Sequence, residues 1–352
     1  MLLFLMVMAT AVLFVPAITA QRAGQDAWLA TSLLPGLVGF AVLWVAWKLR
    51  QHYPGRTLPR MLEELLGKWL GRAVGILYLL FLLFMNTLIL REFGDFAIIA
   101  YLPKTPLMVL HAAIILLAGY AAGKGLEVIV RMTQFVLPLF VAGFLLIVLL
   151  SVPEMDPAKL LPVFGGGVRP LISASLIPAS WYGEIAVLLF FHTQVNKPGE
   201  IWRQGGYALL GIVLFCTLDT LAVLLVFGPE LSGTFVFPFW SLARYIEYRG
   251  IERVDSLIVL LWVSAMVIKA ALIFYVFCRA TAQVFHLASY RKLLIPAVIL
   301  QGAAVSWFNP NAVLLADILA RIWPPLALVF ELGMPGLFLL ISRWRKKRSA
   351  AG

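Results

Sequence analysis

The stretch Leu171-Ile-Ser-Ala-Ser-Leu-Ile-Pro-Ala-Ser-Trp-Tyr-Gly-Glu-Ile-Ala-Val-Leu-Leu-Phe-Phe-His192 decides how the whole chain is read. A bilayer crossing takes roughly 20 mostly apolar residues, and this run has that length. It carries a single carboxylate, Glu184, just after Gly183 and six residues past Pro178. Gly and Pro both loosen a helix, so the run reads as a spanning helix interrupted near mid-membrane, with an acid at the interruption.

Working outward, comparable apolar runs recur at 1–20, 29–48, 73–101, 106–122, 129–151, 206–227, 255–285, 292–308 and 312–342, which makes ten in all. Of the 352 residues, 62% are hydrophobic and 13% charged. Soluble domains carry about 25% charged residues and at most about half apolar ones. That contrast excludes a soluble enzyme, and disorder, collagen and coiled coil with it. Barrel strands of alternating polarity are not seen, so the reading is an all-α membrane protein of ten transmembrane helices. Cys216 and Cys278 stand inside apolar runs, which excludes a disulfide scaffold and a zinc ribbon. No metal site or cofactor is expected.

The first run has no Lys or Arg before Arg22. A cleaved leader begins with basic residues, so the run is read as a span; its bare start leads to the expectation of a few further cytoplasmic residues upstream. Connections after even-numbered runs, with the C-terminus, carry 18 Lys and Arg against 9 on the opposite side. The positive-inside rule then places both termini in the cytoplasm. The net charge of +11 belongs to these basic loops and their anionic headgroups, not to a nucleic acid. No linker divides the chain: residues 1–342 form one polytopic domain, and the basic tail 343–352 anchors it. Two short surface helices are expected, one over Arg60–Leu66 inside and an aromatic one over Phe235–Glu247 outside, within the non-spanning stretch 228–254.

Ten runs divide into five and five, and an odd number per half gives halves of opposite orientation, the plan of inverted-repeat transporters. In that plan helices one and six are both broken, near Thr10, Ala11 and Pro16 and near Pro178–Glu184. An ionisable group at mid-membrane costs about 2.5–3.5 kcal/mol, so Glu184, Asp219, Lys269 and Glu331 single themselves out. Glu184 admits two readings: a cavity carboxylate that holds an ammonium or a proton, or half of a Glu184–Lys269 pair that locks two helices. Asp219 has no evident partner, Glu331 precedes Gly333 and Pro335 and reads as a kink-associated pair, and Arg91, Glu92 and Asp95 read as a local rim network. Trp181 and Tyr182 can close over a ligand at the break. Trp28, Trp44, Trp47, Trp323 and Trp344 read as interfacial belt residues, and His52, His111, His192 and His286 as single interfacial ones. No enzyme motif was found.

Several segments, taken together and in order, carry a family resemblance: Leu90-Arg-Glu-Phe-Gly-Asp-Phe96 with Thr105-Pro106, Gly125-Leu-Glu-Val-Ile-Val-Arg131, Leu160-Leu-Pro-Val163, Tyr182-Gly-Glu184, Phe227-Gly-Pro-Glu230, Phe237-Pro-Phe239 with Ser241-Leu-Ala-Arg-Tyr245, Glu252-Arg-Val-Asp255, Trp262, and Trp323-Pro-Pro325. The chain resembles the endospore germination permeases, the B subunits of Ger-type germinant receptors, which themselves resemble the amino acid–polyamine–organocation transporters. The resemblance implies a spore inner-membrane protein working with an A subunit and a lipoprotein C subunit. It further implies a germinant, such as an amino acid or sugar, held among spans one, three, six and eight, with Thr10, Ala11, Trp181, Tyr182, Gly183, Glu184 and Lys269 as its site. Three functions are compatible with these residues: a receptor subunit, a proton-coupled amino acid transporter using Glu184 or Asp219, and an assembly subunit with a vestigial cavity.

Overall fold

The computed structural model describes residues 1–246, 254–308 and 310–351. Of the segments quoted above, Glu252 and Arg253, with the rest of 247–253, lie outside the described residues. Among the described residues there are helices and no strand, as expected where each peptide group must find its partner within its own segment.

The helices are α1 (Leu2–Ala23), α2 (Leu33–His52), α3 (Leu58–Leu66), α4 (Lys68–Ala100), α5 (Leu107–Lys124), α6 (Leu126–Ser151), α7 (Val168–Gly183), α8 (Ile201–Thr234), α9 (Pro238–Tyr245), α10 (Val254–Val284), α11 (Leu294–Trp307) and α12 (Ala312–Arg345). Nine helices are long and apolar enough to cross a membrane among the described residues, each at one of the expected runs. The ninth run is different. It folds as the 14-residue α11, about 21 Å at 1.5 Å per residue, short of the roughly 30 Å hydrocarbon core. Gln301 of α11 is buried and joins it to α4, donating to Thr87 Oγ1 at 2.8 Å and accepting from Asn86 Nδ2 at 3.3 Å.

α1 is apolar all round, and a helix of that kind belongs at the centre. Its side chains from Phe4 to Ala20 are buried, enclosed by α7, α8 and α10. The opposite case is α6, which leaves Phe135, Leu139 and Leu149 exposed as a face for acyl chains. The two short surface helices exist. α3 buries Leu58, Met61, Leu62 and Leu65. α9 drives Phe237, Phe239 and Trp240 into the bundle, where Phe237 meets Phe14 and Phe96 edge-on at 5.3 and 5.1 Å.

Helix one departs from the expected plan. α1 is continuous through Thr10 and Ala11, because no glycine relaxes the ladder there and the buried, close-packed surroundings leave an unwound backbone without partners. Pro16 is absorbed without a break. In run six the chain instead changes pitch: α7 ends at Gly183, a 3₁₀ segment runs Glu184–Val187, and one α-turn, Leu188–Phe191, follows. Backbone angles are right-handed helical at Gly183, Glu184, Val187 and Leu188, so helix six tightens there rather than unwinds.

α2 and α8 approach through glycines. A Cβ at Gly39 would stand 2.7 Å from Leu209 Cδ1 and 3.2 Å from Tyr182 Cβ, and one at Gly205 would stand 2.7 Å from Leu43 Cδ1. Close approach over small residues is a main source of helix association in lipid. Gly39→Val is therefore expected to cost about 1–3 kcal/mol by overpacking. Gly302→Ala, at a position with open space, should be neutral or gain up to about 1 kcal/mol. Thermal unfolding of both variants in detergent measures the contrast, and equal midpoints would refute the seam.

Candidate functional site

Thr10 of α1, Glu184 at the end of α7 and Lys269 of α10 meet where the three helices converge. Lys269 Nζ donates to Glu184 Oε1 at 2.9 Å, to Glu184 Oε2 at 2.8 Å and to Thr10 Oγ1 at 2.6 Å. An ammonium has three N–H donors, and all three are used. Trp181 Nε1 also donates to Thr10 Oγ1, at 2.9 Å. Lys269 and Glu184 are 1% and 3% exposed, so the pair is removed from water on every side. Sequence placed these four residues in one hollow, and the structure brings them together.

The hollow is smaller than expected. Thr10, Trp181, Glu184 and Lys269 line it with Met85, Leu88, Ile89 and Glu92 of α4 and Leu319 and Trp323 of α12. It leaves about 10 Å³ for the centre of a water-sized sphere, room for about one water. The ion pair occupies the space in which a ligand's charged groups would lie.

Three expected members stand elsewhere. Ala11 is buried outside the hollow. Tyr182 turns away and donates its hydroxyl to Thr31 O at 2.6 Å. Gly183 faces α12, where an added Cβ would collide with the Glu331 carboxylate. Helical periodicity explains the split: Trp181 and Glu184, three apart, share a face, while Tyr182 lies 100° away.

Two residues belong here that the sequence reading put elsewhere. Glu92, grouped with the rim, lines the hollow opposite Lys269, while Arg91 pairs with Asp95 at 2.8 Å, both buried. One turn of α4 therefore serves two faces. Trp323, read as an interfacial tryptophan, is 2% exposed and stacks on Phe81 at 5.7 Å. Glu92 could have been found from its spacing, since Met85, Leu88 and Glu92 recur at three and four residues. Trp323 gave no such signal. His111 and His192 are likewise buried, not interfacial.

The remaining two acids are isolated. Both oxygens of Asp219, on α8, and both of Glu331, on α12, lack a hydrogen-bond partner among the described residues. The pairing expected for Glu331 does not form, although the kink does: α12 widens into π-turns at Ile318–Ile322 and Val329–Gly333. In a π-turn the Phe330 carbonyl looks to the N–H of residue 335, and Pro335 has none. Tyr78 of α4 supplies the missing donor, its hydroxyl 2.9 Å from Phe330 O.

A profile of the spore permease family, described as spore germination protein, matches residues 1–313. The chain belongs to that family. It is 24% identical over 346 residues to spore germination protein YndE of Bacillus subtilis (strain 168), covering 97% of this chain and 93% of the relative. It is 23% identical over 337 residues to spore germination protein KB of the same organism, covering 93% and 89%. To spore germination protein XB of Bacillus anthracis it is 25% identical over 310 residues, covering 82% and 83%. This spore permease is thus a germination-related integral membrane protein.

Removing one partner of a buried ion pair strands the other charge, at a cost of about 3–5 kcal/mol. Lys269→Met should therefore lower stability by that order, and adding Glu184→Gln should recover most of it. A double-mutant cycle by thermal unfolding in detergent gives the coupling. Additive losses would show that the two side chains are not paired.

Proposed function

We propose that this spore permease is the nutrient-sensing membrane subunit of a germination receptor. It sits in the spore inner membrane with both termini cytoplasmic, beside an A subunit and a lipoprotein C subunit, and its ligand is a small zwitterion such as an amino acid. The observation that carries this reading is the Glu184–Lys269–Thr10 cluster at the junction of α1, α7 and α10. An acid and a base paired with each other are also the two groups an amino acid needs, its ammonium taking Glu184 and its carboxylate taking Lys269 and the Thr10 hydroxyl. Binding then exchanges one internal ion pair for two, which favours a state with Lys269 and Glu184 drawn apart. A ligand shifts an equilibrium only by such a difference in affinity between states. Membership of the spore permease family supports the same reading.

A second reading, a proton-coupled amino acid transporter, is favoured by the carboxylates of Asp219 and Glu331, which have no hydrogen-bond partner among the described residues, since such acids serve proton relays in membranes.

Thermal-shift screening of the purified chain against amino acids, sugars and nucleosides should yield an amino acid that raises the unfolding midpoint. That rise should vanish in Glu184→Gln. Spores carrying the same variant, with the receptor still assembled, should no longer respond to the nutrient. Normal germination of those spores would sink the proposal, and concentrative uptake of labelled amino acid into vesicles by the chain alone would favour the transporter.

A further inference from the structure

Charge balance in the interior is strongly one-sided. Among the described residues six acids are buried, Asp26, Glu92, Asp95, Glu184, Asp219 and Glu331, against two strong bases, Arg91 and Lys269. Arg91 is engaged by Asp95, and Lys269 has placed all three protons on Glu184 and Thr10. Glu331 therefore has no base within hydrogen-bond reach among the described residues, yet it is 3% exposed. An uncompensated carboxylate at that depth is costly.

Its surroundings have the form of a site. Glu331 lines a second hollow with Tyr78 and Phe81 of α4, Glu184 and Val187 of the 3₁₀ segment, and Phe190. The 3₁₀ pitch puts residues three apart on one line, which aligns Glu184 with Val187, and Phe190 follows from the α-turn beyond. The glycine at 183 lets the Glu331 carboxylate lie directly against helix six. Aromatic rings form the other wall: Phe81 stacks in parallel on Phe330 at 4.6 Å and on Trp323 at 5.7 Å, and Tyr78 meets Phe330 edge-on at 5.3 Å. With those ring faces engaged by one another, the attraction for a cation comes from the carboxylate of Glu331, which has no hydrogen-bond partner among the described residues. The hollow leaves about 10 Å³ for the centre of a water-sized sphere, space for about one water-sized body, too small for an amino acid.

We propose that Glu331 is the anionic ligand of a second site, which takes one compact monovalent cation, an alkali ion or a small ammonium, between α4, the 3₁₀ segment of helix six and the π-turn of α12. Because Glu184 borders both hollows, a cation at Glu331 stabilises negative charge on Glu184 and couples the site to the Lys269 pair. The cation site stands whether or not the first hollow binds a nutrient.

The test is thermal unfolding of the purified full chain in detergent at about pH 8. Sodium, potassium or methylammonium chloride is titrated in, with ionic strength held constant by N-methyl-D-glucamine chloride. The expected result is a saturable rise of a few degrees with at least one compact cation; a response to methylammonium alone assigns the site to an amine, and one to sodium or potassium assigns it to an inorganic ion. The rise should be lost in Glu331→Gln, whose neutral amide needs no counter-charge, and retained in Asp219→Asn. Three results overturn the proposal: a flat wild-type response, the same saturation curve in Glu331→Gln, or a midpoint that follows pH with none of the cations acting, in which case a proton alone neutralises Glu331. If Glu331→Gln is not recovered folded, Glu331→Asp takes its place. A rise of about tenfold or more in the half-saturating concentration supports the site, and an unchanged one overturns it.

Discussion

A lysine and a glutamate facing each other in the middle of an apolar bundle constrain everything around them. In a medium without water, neither charge tolerates separation from the other, and every N–H of the ammonium requires an acceptor. Thr10 provides the third acceptor for Lys269, and Trp181 fixes the Thr10 hydroxyl from the other side. Three helices distant in sequence are thereby held at a fixed rotation about their axes. α1 remains straight at this point because the cluster uses a side-chain oxygen from it and no backbone group. Helix six supplies both an indole and a carboxylate from one face, and its pitch changes at the carboxylate.

That change of pitch and the π-turns of α12 are two responses to one packing problem. Gly183 and Glu331 lie against each other, and a regular α-helix on either side would present different atoms there. Tightening at Glu184 lines up residues three apart, while widening at Val329–Gly333 accommodates Pro335, with Tyr78 replacing the donor that proline lacks. Changes of helix pitch thus occur at Glu184 and Glu331, α8 is separately broken at Gly228 (φ 77°) before Pro229, and the peripheral α5 and α6 remain regular. Deviations of this kind gather at functional places because a tightly packed interior must over-determine them to keep them.

Much of this was legible beforehand. The apolar runs gave eight of the spans with their ends within a few residues and predicted α3 and α9, since length and apolarity are local properties. The Glu184–Lys269 pair was foreseeable because few ionisable residues occur at mid-membrane and these two carry opposite charge. The continuity of α1 was not foreseeable: Thr10 and Pro16 are compatible with either a break or a straight helix, and neighbours decide. Nor was the burial of Trp323, which by its place at a run end read as a headgroup residue, whereas the facing of Glu92 was carried by its spacing from Met85 and Leu88.

By itself, then, the sequence determined the solvent this protein lives in, the number and placement of most of its helices, its family, and the set of acids and bases that had to be accommodated inside. Those follow from composition and from hydrophobic runs, which act on each segment separately. Which face each helix turns inward, which two acids remain without partners among the described residues, and how little space is left around the ion pair were decided only by tertiary structure. The rotation of each helix about its own axis is set by the sum of its contacts with all neighbours, and no single segment carries that sum.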